Sequence, residues 1–301
     1  MKTPDFKAPR IDPSASGKIS TNTKKEKKET KHSDLFIRLR SGAIYAVAIL
    51  AGCLLGNVAT LILLTVASGI CAYEFYVMLR SDAKLPNETL GILGAMAFPV
   101  SYFFFGIVGI VCVALALLVV LLIWYISWIH ARIGDVCVSF FGAVYTGFLL
   151  TCLLAIRLNL NADEIWGGVL IIFILATVSI NDGFAYLFGR KFGKHRLAPH
   201  ISPKKSWEGF LAGSIASTAC WFILLIFPGI TITPWQCLIF GLICSILGVI
   251  GDLVESRIKR NSGVKDSGNL MPGHGGLLDR VDSIFLVSLG SAFLLFTFGC
   301  I

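Results

Sequence analysis

Five carboxylates and five cations share one polar stretch near the end of an otherwise apolar chain. It runs from Gly251 to Ser283 and reads GDLVESRIKRNSGVKDSGNLMPGHGGLLDRVDS. The acids are Asp252, Glu255, Asp266, Asp279 and Asp282, and the bases are Arg257, Lys259, Arg260, Lys265 and Arg280. Asp279 and Asp282 are three residues apart, which puts them on one face of a helix, and Asp252 and Glu255 share that spacing. Two such helix ends side by side would gather carboxylate oxygens into the kind of site that magnesium favours, with few carboxylates, retained waters and phosphate oxygens. Ion pairing with Arg257, Lys259 and Arg280 would account for the same charges, and spacing alone leaves both readings open. Gly273, Gly275 and Gly276 surround His274. Glycines let backbone N–H groups approach an anion, and a following helix N-terminus adds favourable charge, so this run reads as a phosphate cradle. His274 would then contact phosphate or cap the turn. The pattern is neither a Walker loop nor a dinucleotide fingerprint.

A second polar loop, residues 189–209, reads GRKFGKHRLAPHISPKKSWEG. Pro199 and Pro203 mark it as a structured turn more than a helix. Ser202, Lys204, Lys205 and Ser206 are candidates for binding phosphate. Charge that merely sets membrane topology explains the bases here, but not Asn181 and Asp182 inside a neighbouring apolar run. A charge near a bilayer centre costs a few kcal/mol or more, so such acids have partners or a role. His130, His195 and His200 have no metal-ligand spacing and read as interfacial. Glu74 reads as a structural ion-pair partner.

The elements that would position these residues are membrane helices. The chain has 301 residues, 55% of them hydrophobic, and a mean hydropathy of +0.79. Nine apolar segments stand out, at about 35–55, 57–79, 89–106, 107–126, 135–157, 164–188, 207–228, 235–256 and 283–300. Most are long enough to cross a hydrocarbon layer of ~30 Å as helices, the default because backbone polar groups in lipid must be satisfied within the segment. The expected fold is therefore all-α and polytopic, with about nine transmembrane helices. Residues 1–33 form a basic, disordered tail, 34–160 the first set of membrane helices, and 161–301 the catalytic region with its polar loops. No cleavable signal peptide is visible ahead of the first apolar run.

Orientation follows from Lys and Arg. Eleven of the 26 lie in the first 40 residues. With a cytoplasmic N-terminus and nine crossings, every base except Arg157 falls on the inner side, the positive-inside pattern. The same arrangement brings Asp182, Glu208, Asp252, Glu255, Asp279 and Asp282 to one membrane depth, at the inner edge. Trp124, Trp128, Trp166, Trp207 and Trp235 near segment ends fit interfacial anchoring. The nine cysteines form no CxxC pair and read as small membrane-buried side chains.

The run SRIKRNSGVKDSGNLMPGHGGLLDRVDS resembles the signature of phosphatidate cytidylyltransferases, also called CDP-diacylglycerol synthases. The matching positions are Ser256, Lys259-Arg260, Lys265-Asp266, His274-Gly275-Gly276 and Asp279-Arg280-Val281-Asp282. The blocks NDGFAYLFGRKFGKH, ISPKKSWEG and GDLVES are similar to the same family. The resemblance covers about residues 165–300, while the first half matches only as apolar spans. It implies that CTP and phosphatidate give CDP-diacylglycerol and pyrophosphate, with Mg2+ as cofactor and a second, K+-like cation associated with the site. On that pattern Asp252 and Asp279 are the leading metal ligands, supported by Asp282, Asp266 and Asp182. The catalytic set is Asp252, Asp279, Asp282, Lys265 and Asp266. The substrate-binding set is Ser202, Lys204, Lys205, Ser256, Lys259, Arg260, His274, Gly275, Gly276 and Arg280. Membrane lipids complete the expected partners, with a homodimer as a possible assembly and no nucleic acid. The expected location is a bacterial inner membrane with the site on the cytoplasmic face. A transporter is the rival from another class. Transporters hold charged residues near the midplane on broken helices, whereas these acids gather at one edge.

Overall fold

The structure, a computed structural model, describes residues 40–80, 85–268, 270 and 275–301. The expected tail over 1–33 lies outside the described residues, as does His274. The order is α1 (Arg40–Leu54), α2 (Asn57–Arg80), α3 (Glu88–Ser127), α4 (Ile133–Ala143), α5 (Leu149–Asn159), α6 (Glu164–Phe192), β1 (Arg196–Ala198), β2 (Ser202–Ser206), α7 (Trp207–Trp221), α8 (Pro234–Asn261) and α9 (Leu278–Thr297). Seven helical runs among the described residues are long and apolar enough to cross a membrane, and α1 is a shorter apolar helix. The all-α polytopic reading holds, with one small antiparallel pair, β1 and β2, where residues 189–209 were read as a turn.

The 40 residues of α3 exceed the ~20 that one crossing needs. They do not form one straight rod. Gly106 has φ 59° and ψ −143°, outside helical geometry. A Cβ at Gly109 would run into the Ser101 carbonyl, and Leu117 Cδ2 lies 2.7 Å from where a Cβ on Gly94 would sit. Residues that far apart meet only if the chain doubles back at Gly106, so α3 is a helical hairpin. The turn falls where the third and fourth apolar segments were expected to join. The run from α4 to α5 is a single 27-residue span, Ile133–Asn159, with one π-helical turn at Val144–Phe148.

Helix boundaries differ from expectation at the polar end. The eighth segment was expected to stop near 256, but α8 continues to Asn261. The ninth was expected to start at 283, but α9 begins at Leu278. Hydropathy marks a boundary where charge begins, yet a helix continues past the hydrocarbon as long as its charged side chains find partners. Here they do. As a result, Arg257, Lys259, Arg260, Asp279, Arg280 and Asp282 are all helical.

Close helix packing at this end depends on small residues, which let backbones approach. Along α7, Cβ atoms on Gly209 and Gly213 would lie 2.5 Å from the carbonyl oxygens of Ala185 and Asn181 on α6. Between α8 and α9, a Cβ on Gly251 would lie 2.6 Å from the Asp282 carbonyl oxygen. A buried polar chain then ties α6, α7 and α8 together. The Ser245 hydroxyl donates to Asn181 Oδ1 at 2.8 Å and contacts the Ser214 hydroxyl at 2.7 Å. All nine cysteines are free thiols. Cys112 and Cys137 are exposed on the protein surface, both within apolar membrane-length spans.

Gly106→Val should cost about 1–3 kcal/mol, because a β-branched residue is strained in that conformation. A lower unfolding temperature in detergent would register the loss. Unchanged stability would mean the chain does not reverse at Gly106.

Candidate active site at one end of the helices

A cavity of about 620 Å3 opens among α6, α7, α8 and the β1–β2 hairpin. Arg190, Arg196, Lys204 and Lys205 line it together with Asp182 and Asp252. Each basic residue has a local reason for its place. Arg190 lies in the last turn of α6, where a cation is favoured by the helix dipole. Arg196 is on β1, and Lys204 and Lys205 are on β2, paired across the hairpin. The hairpin is fastened to the start of α7. Glu208 accepts from the backbone N–H of His195 and lies 2.7 Å from its Nδ1, while the Ser206 hydroxyl caps α7 by accepting from the Gly209 N–H. Lys205 Nζ reaches across to Asp252 Oδ2 at 2.5 Å. The cavity thus has cationic walls with carboxylates among them, a lining suited to a polyphosphate carrying a metal.

The carboxylates fall into two groups. In the first, Asp182 of α6, Asp252 of α8 and Asp282 of α9 each sit within the electrostatic reach of the others. Lys205 pairs with this group, and the Ser256 hydroxyl donates to Asp252 Oδ1 at 3.1 Å. The second group is bound up by protein donors. Lys259 Nζ lies 2.5 Å from the fully buried Glu255 and 2.8 Å from Asp279 Oδ1. Asp279 also accepts from the N–H of Ser267 at 3.0 Å and of Gly276 at 2.9 Å. Glu74, buried on α2, accepts from the N–H groups of Leu277 and Leu278 at 3.1 and 2.8 Å. These are N–H groups at the start of α9 that have no partner within the helix. Glu74 is therefore a helix cap supplied from a distant helix, not the ion-pair partner expected.

The sequence-predicted residues separate accordingly. Asp182, Asp252, Lys204 and Lys205 come together in the polar cavity, with Asp282 in their field. Lys259 and Asp279 pair with each other instead. The Gly276 N–H, read as part of a phosphate cradle, is directed at Asp279. Gly276 has to be glycine for a different reason, since a Cβ there would lie 2.5 Å from Glu74 Oε2. Arg260, Lys265, Asp266 and Arg280 are exposed, Ser202 and Gly275 are partly so, and His274 lies outside the described residues. Arg190 and Arg196 were read only as topogenic charge. Their signal was the position of Arg190 beside Asp182 on one helix. For Glu255 and Asp279 the structure favours the ion-pairing reading that spacing had left open, since both pair with Lys259.

Among the described residues, no group of three or more His, Cys, Asp or Glu side chains is arranged as a metal cage. The first acidic group still fits magnesium, which binds through one or two carboxylates and fills its remaining positions with water and phosphate. Of the bases around these three carboxylates, Lys205 makes the direct ion pair, to Asp252.

A sequence profile described as the Cytidylyltransferase family matches residues 36–298. A phosphatidate cytidylyltransferase of Bacillus subtilis is 32% identical over 274 residues, covering 88% of this chain and 99% of that protein. One from Staphylococcus saprophyticus is 50% identical over 117 residues, 39% of this chain and 45% of that relative. One from Brucella abortus is 41% identical over 163 residues, covering 53% and 56%. The match thus spans about half the length of the staphylococcal and Brucella relatives and nearly all of the Bacillus one.

The Glu74 contacts make a prediction independent of activity. Glu74→Ala leaves two N–H groups at the buried start of α9 without acceptors, at about 1–3 kcal/mol. Denaturant unfolding in detergent should show that loss, and wild-type stability in the variant would show that Glu74 does not cap α9.

Proposed function

Because the chain belongs to the Cytidylyltransferase family, we propose that it transfers the cytidylyl group of CTP to phosphatidate, giving CDP-diacylglycerol and pyrophosphate. The observation that carries this reading is the cavity in which Arg190, Arg196, Lys204 and Lys205 stand over Asp182 and Asp252. A phosphate oxygen of phosphatidate attacks the α-phosphorus of CTP, and the bond from that phosphorus to the bridging oxygen of pyrophosphate breaks. The nucleophile is already ionised at neutral pH, so no activating base is required. What opposes the reaction is repulsion between two polyanions and the charge developing on the leaving group, and fixed cations counter both.

The cavity bases take the triphosphate of CTP. Lys205 is paired with Asp252, Arg190 comes from the end of α6 and Arg196 from β1. Asp252, Asp282 and Asp182 would hold Mg2+, while Asp279 stays with Lys259 and the N–H groups of Ser267 and Gly276. An ion held by these residues would supply neutralisation of phosphate charge, which favours departure of pyrophosphate. Ser256 steadies Asp252 through its hydroxyl. Lys265, Asp266, Arg260 and Arg280 lie exposed around this end, where lipid phosphate would meet the site. The same reading places the polar end at the cytoplasmic face of a cell membrane, with nine crossings, where CTP and the lipid headgroup are both accessible. The positive-inside distribution of bases supports that placement.

Purified protein given labelled CTP and phosphatidate should form a labelled lipid and release pyrophosphate with Mg2+, and neither in EDTA. Lys205→Met should lower kcat by about 10²-fold or more, the scale for removing one preorganised donor. Absence of a lipid product with Mg2+ present, or undiminished turnover in EDTA, would contradict the proposal.

A further inference from the structure

A second cavity, of about 600 Å3, lies between α1, α2, α5, α6 and α9. Among the described residues no charged side chain lines it, and the hydroxyls there belong to Ser41, Tyr45 and Thr60. Thr60 spends its hydroxyl within the protein, donating to the Gly52 carbonyl at 2.7 Å. The cavity follows α1 from Ser41 to Cys53. Twelve residues of helix span about 18 Å at 1.5 Å per residue, close to the depth of one leaflet of a hydrocarbon layer of ~30 Å. Its lining thus matches a hydrocarbon chain, and its length matches one that starts at the polar end of the molecule.

The polar end of this cavity has the opposite character. Leu270 and Leu277 border it there, beside the start of α9. Arg280, exposed on the first turn of α9, acts electrostatically on Tyr45, a cavity residue. Arg40, also exposed, begins α1 one residue before Ser41. Two guanidinium groups therefore stand near the mouth of an apolar, leaflet-deep slot, an arrangement that matches an anionic phosphate joined to an acyl chain. Helix α9 borders this slot and carries one acid within electrostatic reach of those at the polar cavity. Val281 and Ile284 line the slot, while Asp282 between them stands in the field of Asp252 and Asp182.

We propose that the slot holds one acyl chain of phosphatidate, with the lipid phosphate at Arg280 and the nucleotide approaching from the far side of α9. This rests on the reading of phosphatidate as substrate. It adds that the lipid and the nucleotide occupy separate cavities divided by the first turns of α9, and that chain-length preference is set by α1 and α2.

Two small lining residues allow the slot to be filled without removing any packing: Ala48 on α1 and Ala67 on α2. Purified wild type, Ala48→Trp and Ala67→Trp would each be mixed with dioleoyl phosphatidate, dihexanoyl phosphatidate and dioleoyl phosphatidylcholine. Native mass spectrometry would read retention, and a melting curve would confirm folding. Wild type should retain one dioleoyl phosphatidate. A variant that melts normally should bind it about tenfold or more weakly, the effect of losing contact with some two buried CH2 groups. Binding of the short-chain lipid should change less than twofold. Equal losses for both chain lengths, or no loss in either variant, would overturn the proposal. Equal retention of phosphatidylcholine by wild type would do the same, since it would mark a general lipid slot. Because binding is read without turnover, a failure of the catalytic reading would appear separately, as retained lipid with no CDP-diacylglycerol formed.

Discussion

The constraint on which this structure depends is charge matching among carboxylates at the end of a membrane bundle. Glu74, Asp182, Glu255, Asp252, Asp279 and Asp282 come from four helices and meet at one end. In such surroundings a carboxylate without partners is costly, and the cost falls only when donors or cations are supplied. The protein divides the problem. Glu74, Glu255 and Asp279 are matched internally, by Lys259 and by backbone N–H groups from the loop before α9. Asp182, Asp252 and Asp282 lie instead at or beside the cavity, with Lys205 reaching over from the hairpin to Asp252. The first group builds the site, and the second leaves charge available for a bound cation.

That division explains why the helices pack as they do. Asp252 and Asp282 can share a field only because α8 and α9 touch at Gly251, where any side chain would meet the Asp282 carbonyl. Asp182 joins them because Gly209 and Gly213 let α7 lie against α6, and the Asn181–Ser245–Ser214 chain fixes α6 to α8. The start of α9 is held by Glu74 from the other half of the molecule, so the N-terminal helices, which carry none of the family signature, still position it. The apolar slot bordered by α9 and the charged cavity among α6, α7, α8 and the hairpin are separate spaces at this end of the molecule.

Much of this was legible in the sequence. The apolar runs gave the helices, and even the reversal inside α3 was visible as a junction between two segments at Gly106. The gathering of Asp182, Asp252 and Asp282 followed from placing each at the same end of its helix. The choice between internal pairing and metal binding was not legible. Hydropathy stops a helix at its first charges, so the extension of α8 to Asn261 was lost, and spacing alone could not say which acids Lys259 would take. Glu74 lies some two hundred residues from the N–H groups it caps, and no local pattern reports such a contact. Gly276 was read for the anion it might cradle, whereas its packing against Glu74 is a tertiary fact.

The claim that one acidic group is structural and the other binds the cation is tested most directly by Mn2+ binding, followed by electron paramagnetic resonance on purified Asp252→Asn and Glu74→Gln proteins. The account predicts that Asp252→Asn keeps its fold and loses Mn2+ affinity by about tenfold or more, while Glu74→Gln is less stable but binds Mn2+ as the wild type does. Wild-type affinity in Asp252→Asn, with affinity lost in a folded Glu74→Gln, would contradict it.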